Sequence, residues 1–406
     1  MRILIAGTTY YPALNGQAIF TVNLAEGLAK RGHEVVVAVP SDQIHPYHKE
    51  RKGVHLEGVE SISLKLFHND AYFSPFPRKA VRHIFETFRP EIAHIQDHYP
   101  LSRVVVQTAR RNRVKSVGTN HFMPENLAAY SGWLARIKPL HDWIGWTWMM
   151  EVYNRVDVAT AQSKNAAELI RTHGLRPPVF PLSCGIDLAR FYPDPQIDRN
   201  ACRKRYGLDT KRKIFLFVGR VDAEKKLDVL LRAMSHLKRD DVQLAIAGRG
   251  AALESLQALS NELDLGERVR FTGFIPNEDL HVLLNSVDIF AMPSEAELLS
   301  LATLEAMASG RPVLLANAVA LPELVTVGVN GYLFEPGNAQ DAAKYMDLLA
   351  SQPERWPEMG RAGIEKAQFH GLDHTVGQYE MLYEKLLSGA PLADLQNPSI
   401  QLIQPL

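Results

Sequence analysis

Glu297 and Glu305 stand eight positions apart across an abrupt change in sequence character. Ahead of them, Ile289 to Met292 is a short apolar run of the kind that forms a buried strand. Behind them, from about Ser300, the residues Leu301, Leu304 and Met307 recur at helical spacing and predict a helix with those side chains toward a core. One carboxylate therefore sits on a loop and the other within a helix. Carboxylates accept hydrogen bonds from sugar and ribose hydroxyls, whereas free N–H groups at a helix start, here around Leu299, Ser300 and Leu301, suit a phosphate. A single strand-turn-helix over 293–313 can thus hold sugar, phosphate and ribose together. Two solvated acids are the plain alternative.

Three further turns carry chemistry of the same kind. Gly219-Arg220-Val221-Asp222-Ala223-Glu224-Lys225-Lys226 follows the apolar run Ile214 to Val218 and precedes a helix from about Leu227. Arg220 and Lys225 at a strand end can grip a diphosphate, the guanidinium as a planar fork and the ammonium as a point charge. A solvated loop reads equally well. Gly248-Arg249-Gly250 follows the next run and lets the backbone approach a nucleotide at Gly250. The turn Gly7 to Gln17 places Gly16 just before a helix, which favours an anion at the helix start, although a glycine there is also an ordinary turn residue. It is not the G-x-G-x-x-G of a dinucleotide-binding fold, which counts against a nicotinamide enzyme.

These turns need strands to present them. Ile3 to Ala6, Val35 to Val39, Ile92 to Ile95, Ser116 to Thr119 and Val156 to Thr160 are apolar runs separated by amphipathic stretches such as Ala18 to Lys30 and Leu101 to Arg111. The pattern restarts with Ile214 to Val218, Leu244 to Ala247, Val269 to Phe271, Ile289 to Met292 and Val313 to Leu315. Alternation of this kind predicts an α/β protein of two doubly wound domains with parallel sheets covered on both faces. In such sheets ligands bind beyond the carboxyl ends of the strands, where all four turns fall. Phe191-Tyr192-Pro193-Asp194-Pro195 is the expected linker, because neither a helix nor a central strand tolerates it.

At 406 residues, with 46% hydrophobic and 22% charged, the chain is long enough to bury two cores. The net charge of zero hides an asymmetry: residues 1–190 hold 23 Lys and Arg against 16 Asp and Glu, and the rest is correspondingly acidic. Two domains with unrelated surfaces explain this, as does a front domain facing something anionic. Two cysteines, Cys184 and Cys202, form no disulfide framework and point to a reducing compartment. The apolar run at the N-terminus is too short for a secretory signal, and no stretch approaches the roughly 20 apolar residues of a membrane span. The expectation is a cytoplasmic protein whose membrane contact, if any, is peripheral. No His, Cys and Asp cluster has a spacing that argues for a bound metal.

With these residues in view, the chain resembles the GT4 family of retaining glycosyltransferases of the GT-B fold, two Rossmann-like domains facing each other across a cleft, from Met1 to about Leu387. Glu297 and Glu305, followed by Glu-Ala-Met-Ala-x-Gly-x-Pro-Val, are similar to the family's paired-glutamate motif. Arg31-Gly32-His33-Glu34-Val35 resembles its stretch before the second strand, Gly219-Arg220 with Lys225 its diphosphate clamp, and Gly185-Ile186-Asp187 with Phe191-Tyr192-Pro193 its interdomain segment.

The resemblance implies an acceptor-binding domain over 1–187, a donor-binding domain over 188–372, a helix over 373–388 packing back on the first domain, and a tail over 389–406. It also implies that Arg220 and Lys225 hold the donor diphosphate, Glu297 the donor sugar, Glu305 the ribose and the Gly16 amide a phosphate. His121 matches a histidine placed beside the transferred sugar. Uridine as the base, retention of configuration, the absence of a dedicated protein base and the expectation that neither metal nor cofactor is needed follow from the family alone. The chain departs from the family's habits at Gln17, Cys184, Leu299 and Ala320-Leu321, where glycine or asparagine is more usual.

The acceptor is read from other residues. Four of the five tryptophans, Trp133, Trp143, Trp146 and Trp148, fall between Tyr130 and Tyr153, with Arg136 and Lys138 beside them. Aromatic and basic residues on one helix suit a membrane interface, and Arg110, Arg111, Arg113 and Lys115 add charge to the same domain. A core helix under the sheet is the alternative. Thr119-Asn120-His121-Phe122-Met123-Pro124-Glu125-Asn126 is more similar to the branch that glycosylates diacylglycerol than to the polysaccharide branch. The expected partners are a nucleotide-diphosphate sugar, a lipid acceptor and an anionic membrane surface, with no nucleic acid.

Overall fold

The computed structural model describes residues 1–11, 15–63, 72–124 and 138–392. It divides into two compact units, Met1–Gly185 together with Leu372–Leu406, and Ile186–Gly371.

The first unit carries strands β1 (Arg2–Ala6), β2 (Glu34–Pro40), β3 (Tyr47–Arg51), β4 (Val54–Val59), β5 (Ile62–Ser63), β6 (Tyr72–Phe73), β7 (Ile92–Ile95), β8 (Lys115–Asn120), β9 (Val158–Ala161) and β10 (Val179–Pro181). Its helices are α1 (Gly16–Lys30), α2 (Arg78–Thr87), α3 (Pro100–Arg111), α4 (Lys138–Tyr153) and α5 (Lys164–Thr172). The main sheet runs β10-β9-β8-β7-β1-β2-β4-β3 and is parallel except where β3 meets β4. Ile3 lies opposite Val35 on one side and Ile92 on the other, so the central strands are buried on both faces. Leu4, Ala6, Val36, Ala93 and Ile95 pack with Val81, Ile84, Val105 and Val106 of the covering helices into one core.

The second unit contains α6 (Arg199–Arg205), β11 (Lys213–Val218), α7 (Leu227–His236), β12 (Val242–Ala247), α8 (Leu253–Glu262), β13 (Val269–Gly273), α9 (Asn277–Ser286), β14 (Ile289–Met292), α10 (Leu301–Ala308), β15 (Val313–Ala316), β16 (Gly331–Phe334), α11 (Ala339–Ser351) and α12 (Trp356–Gln368). Its sheet is wholly parallel in the order β13-β12-β11-β14-β15-β16. That is the doubly wound order, with the direction of winding reversing between β11 and β14. Chain entry and exit are joined by a bridge between Ile186 and Gly371. The expected linker Phe191–Pro195 therefore falls inside this unit. Phe191 is buried, and the Asp194 amide donates to Asn285 Oδ1 at 3.0 Å, so the polar, proline-rich stretch is packed rather than spanning.

The last helix, α13 (Leu372–Ser388), belongs to the first unit. It lies on α1 so closely that a Cβ at Gly27 would come within 2.6 Å of Val376. Arg31 bonds Glu380 at 2.7 Å and Asp373 at 2.7 Å, and His33 meets the other oxygen of Glu380 at 2.8 Å. Arg31-Gly32-His33 is thus the anchor of α13. Deeper in, Tyr383 Oη and Thr119 Oγ1 occupy the two ring nitrogens of buried His94 at 2.7 and 2.6 Å, and burial pushes that imidazole down to about 3.

Candidate functional site

The second unit presents its candidate residues at the strand ends where winding reverses, which is where an open α/β sheet leaves room for a ligand. The turn after β11 carries Gly219, Arg220 and Lys225, and the turn after β14 carries Glu297. Lys225 Nζ lies 2.6 Å from Glu297 Oε1, both side chains mostly shielded from water. The two turns are therefore joined by an ion pair across 72 positions of sequence. Arg220 is half-exposed and forks between Asp222 at 2.7 Å and Glu224 at 2.5 Å. Both cations are held by carboxylates, so an anion binding here would exchange one set of acidic oxygens for another.

Glycine is required here for backbone packing. A Cβ at Gly248, which has φ +149°, would sit 1.8 Å from the Gly219 carbonyl oxygen, and one at Gly250 would sit 2.3 Å from that of Val221. The loops after β11 and β12 are thus in direct backbone contact, and Val221 N donates to Arg249 O at 2.9 Å. Gly250 supports the Arg220 turn from beneath. Leu298 and Leu299 are buried. Ser300 caps α10 by accepting from the Thr303 amide at 3.3 Å, which leaves the amides of Leu301 and Ala302 ahead of it for an anion. Leu304 and Met307 face the core as expected, while Leu301 is only partly buried.

Glu305 lies one turn into α10, where burial pushes its carboxyl up to about 7 against a smaller opposing pull from Arg190. Arg190 is itself held by the side chain of Asn277 at 2.9 Å and by the Asn277 carbonyl. An unfolded glutamate ionises near 4.5. Between that pH and about 7 the unfolded chain has lost a proton that the folded chain keeps, so folding loses stability as pH rises through this window. Glu305→Gln removes the effect. Urea midpoints should show the variant gaining on wild type from pH 5 to pH 8, and a gap independent of pH would contradict the assignment.

The first unit reverses its winding between β1 and β7. Gly16 is the first residue of α1, capped by Asn15 through the Ala18 amide at 2.9 Å, and among the described residues nothing lies within 4 Å of where its Cβ would stand. Gln17, where the family often has glycine, donates to Asp97 Oδ2 at 3.0 Å; that carboxylate also accepts from the Thr8 amide at 2.5 Å and Ser102 Oγ at 2.6 Å. Asp97 therefore organises the turn after β1. His121 follows β8, with both ring nitrogens engaged: Nε2 with Gln96 Oε1 at 2.8 Å and Nδ1 with Gln162 Nε2 at 2.6 Å. Burial pushes this imidazole down to about 3, so it stays neutral and has no nitrogen free to take a proton.

Gln96, Asp97 and Gln162 did not stand out in the sequence. The available signal was the abrupt polar run Gln96-Asp97-His98 straight after the buried strand β7.

Both readings of the tryptophan-rich segment find residues in α4. Trp146, Met149, Met150 and Tyr153 are buried, whereas Leu140, Trp143, Ile144 and Trp148 are 41, 65, 42 and 37% exposed. Trp133, Arg136, Glu125 and Asn126 lie outside the described residues, as do the Lys138 side chain and the tail beyond residue 392. Among the described residues no helix is long and apolar enough to cross a membrane. Cys184 and Cys202 are both free and buried.

Residues 14–190 match the profile of Glycosyltransferase Family 4, and residues 198–366 that of Glycosyl transferases group 1. The D-inositol 3-phosphate glycosyltransferase of Mycolicibacterium smegmatis is 30% identical over 92% of this chain and 87% of its own. A GDP-mannose-dependent alpha-mannosyltransferase of Corynebacterium glutamicum is 27% identical over 82% of this chain and 77% of its own. The alpha-monoglucosyldiacylglycerol synthase of Streptococcus pneumoniae is 24% identical over 87% and 79%. Among solved structures, Anabaena HepE in complex with UDP-glucose superposes with a TM-score of 0.75 at 19% identity over 94% of this chain and 99% of its own. The chain belongs to glycosyltransferase family 4, has the GT-B fold, and is a hexosyltransferase.

Proposed function

We propose that the chain moves a glucosyl or galactosyl group from its uridine diphosphate to an alcohol of a membrane lipid such as diacylglycerol, with retention of configuration and without a metal. Breaking the anomeric C–O bond builds negative charge on the departing diphosphate, and Arg220, Lys225 and the start of α10 supply the opposing charge. Glu297 holds the sugar, Glu305 the ribose, the Gly16 amide a phosphate, and His121 lies beside the transferred group. With leaving-group charge met by side chains, no metal is needed for that step.

The acceptor reading is carried by the outer face of α4. Leu140, Trp143, Ile144 and Trp148 recur at spacings of three and four and expose one apolar stripe. Tryptophans in such a stripe suit the headgroup level of a bilayer, and exposed Arg110 and Arg111 in the last turn of α3, with Arg113 just beyond it, suit its anionic charge. The diacylglycerol synthase relative supports this reading. A soluble polyol acceptor at the same site is the second reading, favoured by the higher identity of the D-inositol 3-phosphate relative.

Sedimentation with phosphatidylglycerol vesicles tests the membrane surface. Wild type should pellet with the vesicles, and Trp143→Ser with Ile144→Ser should stay largely in the supernatant while still binding UDP. Wild type that never pellets at low salt would remove the lipid reading and leave the soluble one.

A further inference from the structure

We infer that Gln96 is the group in the first unit that reads a substrate hydroxyl, and that His121 and Gln162 serve to hold it in the donating orientation. The inference rests on the glycosyl-transfer reading and adds a residue to its acceptor side.

Gln96, His121 and Gln162 follow β7, β8 and β9, three neighbouring strands, and are joined by one line of hydrogen bonds across the strand ends. Gln162 Nε2 donates to His121 Nδ1 at 2.6 Å, so the ring carries its proton on Nε2. That proton is given to Gln96 Oε1 at 2.8 Å, which turns the carboxamide nitrogen of Gln96 away from the ring. The neutral ring expected from burial keeps the polarity of this line fixed. Gln96 is fully buried, and its Nε2 has no hydrogen-bond partner among the described residues. Leaving such a buried donor unsatisfied is costly. A carboxamide free to turn would escape that cost, and the bond to His121 prevents the turn.

The surroundings narrow the ligand. Gln96 lies against the turn after β1: a Cβ at Gly7 would come 3.0 Å from Gln96 Cβ and 3.0 Å from Gln17 Nε2. This is the point where the sheet reverses its winding, hence the expected ligand position. The buried Asp97 carboxylate next along the chain already accepts from Thr8, Gln17, Tyr99 and Ser102 and disfavours a second anion nearby. A neutral oxygen, the hydroxyl of a polyol, meets both conditions.

The test is polyol binding by saturation-transfer NMR on the full chain with saturating UDP, using glycerol, myo-inositol and glucose as probes. Wild type should bind at least one of them, and Gln96→Met should weaken that binding about tenfold or more, with the UDP dissociation constant within about twofold of wild type. Gln162→Met leaves the donor in place but frees His121, and should weaken polyol binding about threefold. It carries the test should Gln96→Met fail to fold. Wild type that binds none of the polyols overturns the inference, as does unchanged polyol affinity in the folded variants, which would mean that an ordered water alone satisfies Gln96. Failure of wild type to bind UDP would instead strike the proposed function, because UDP affinity is read separately from polyol affinity.

Discussion

Arg220→Ala should lower kcat for donor cleavage by about 10²–10³-fold, the usual loss when one preorganised donor to a developing anion is removed. On the proposed reading the diphosphate gains negative charge only as the glycosidic bond lengthens, so the guanidinium would stabilise the transition state more than bound donor. The donor KM should therefore change much less than kcat. Arg220→Lys should recover only part of the rate, because the ammonium lacks the planar fork that now spans Asp222 and Glu224. Nucleoside diphosphate release under saturating donor measures this directly. A variant with wild-type kcat and a raised KM would show that Arg220 contributes uniform binding alone, and the leaving-group account would be wrong.

Asp288→Ala should cost the second unit about 3–5 kcal/mol, the range for breaking a buried ion pair by removing one partner. Asp288 is buried ahead of β14, and its two oxygens meet Arg199 at 2.5 Å and Arg203 at 2.8 Å. The Ile214 amide at the start of β11 donates to it at 2.8 Å. Arg203 is equally buried and also bonds the Ser286 carbonyl at 2.8 Å and the Arg212 carbonyl at 3.1 Å. Without the carboxylate, a desolvated guanidinium and a buried strand amide lose their partner at once. At about 2–4 °C per kcal/mol for a domain of this size, calorimetry should show Tm falling by about 6–20 °C. The double variant Asp288→Leu with Arg203→Met should recover much of that loss, since it removes both buried charges and leaves only the half-exposed Arg199. A single variant melting within about 2 °C of wild type would show that the pair is not the buried support described.

The strands that carry the candidate residues were legible because β1, β2, β7, β8, β9, β11 and β14 are buried on both faces and read as apolar runs. Edge strands were not. Tyr47-His48-Lys49-Glu50-Arg51 has no aliphatic residue and exposes its three middle side chains, a composition that protects an edge from pairing with other chains but hides it from a hydrophobicity reading. Strand β10 is three residues long and ends in proline, and β4 interleaves His55 and Glu57 with its buried positions.

The same division holds for the site. Arg220 and Lys225 were visible because a strand-end turn sets charged residues beside Gly219, and Glu297 and Glu305 because they bracket the change from an apolar run to a helical spacing. That Lys225 would reach Glu297, or that His121 would be clamped between Gln96 and Gln162, depends on which strands become neighbours in the sheet. Arg31 and His33 showed themselves as a motif, but their partner Glu380 lies almost 350 positions away on α13. Local pattern cannot carry pairings of that span.

The lipid acceptor is tested most directly by following labelled sugar. The purified chain is incubated with UDP-[14C]glucose and, in a parallel arm, UDP-[14C]galactose, with vesicles of dioleoylglycerol in phosphatidylglycerol, myo-inositol 3-phosphate as a competing soluble acceptor, and EDTA throughout. The account predicts that label from one donor passes into the chloroform phase as a glycosyl-diacylglycerol, undiminished by EDTA. Label that remains in the aqueous phase as a glycoside of the inositol phosphate would contradict it and transfer the same chemistry to a soluble acceptor.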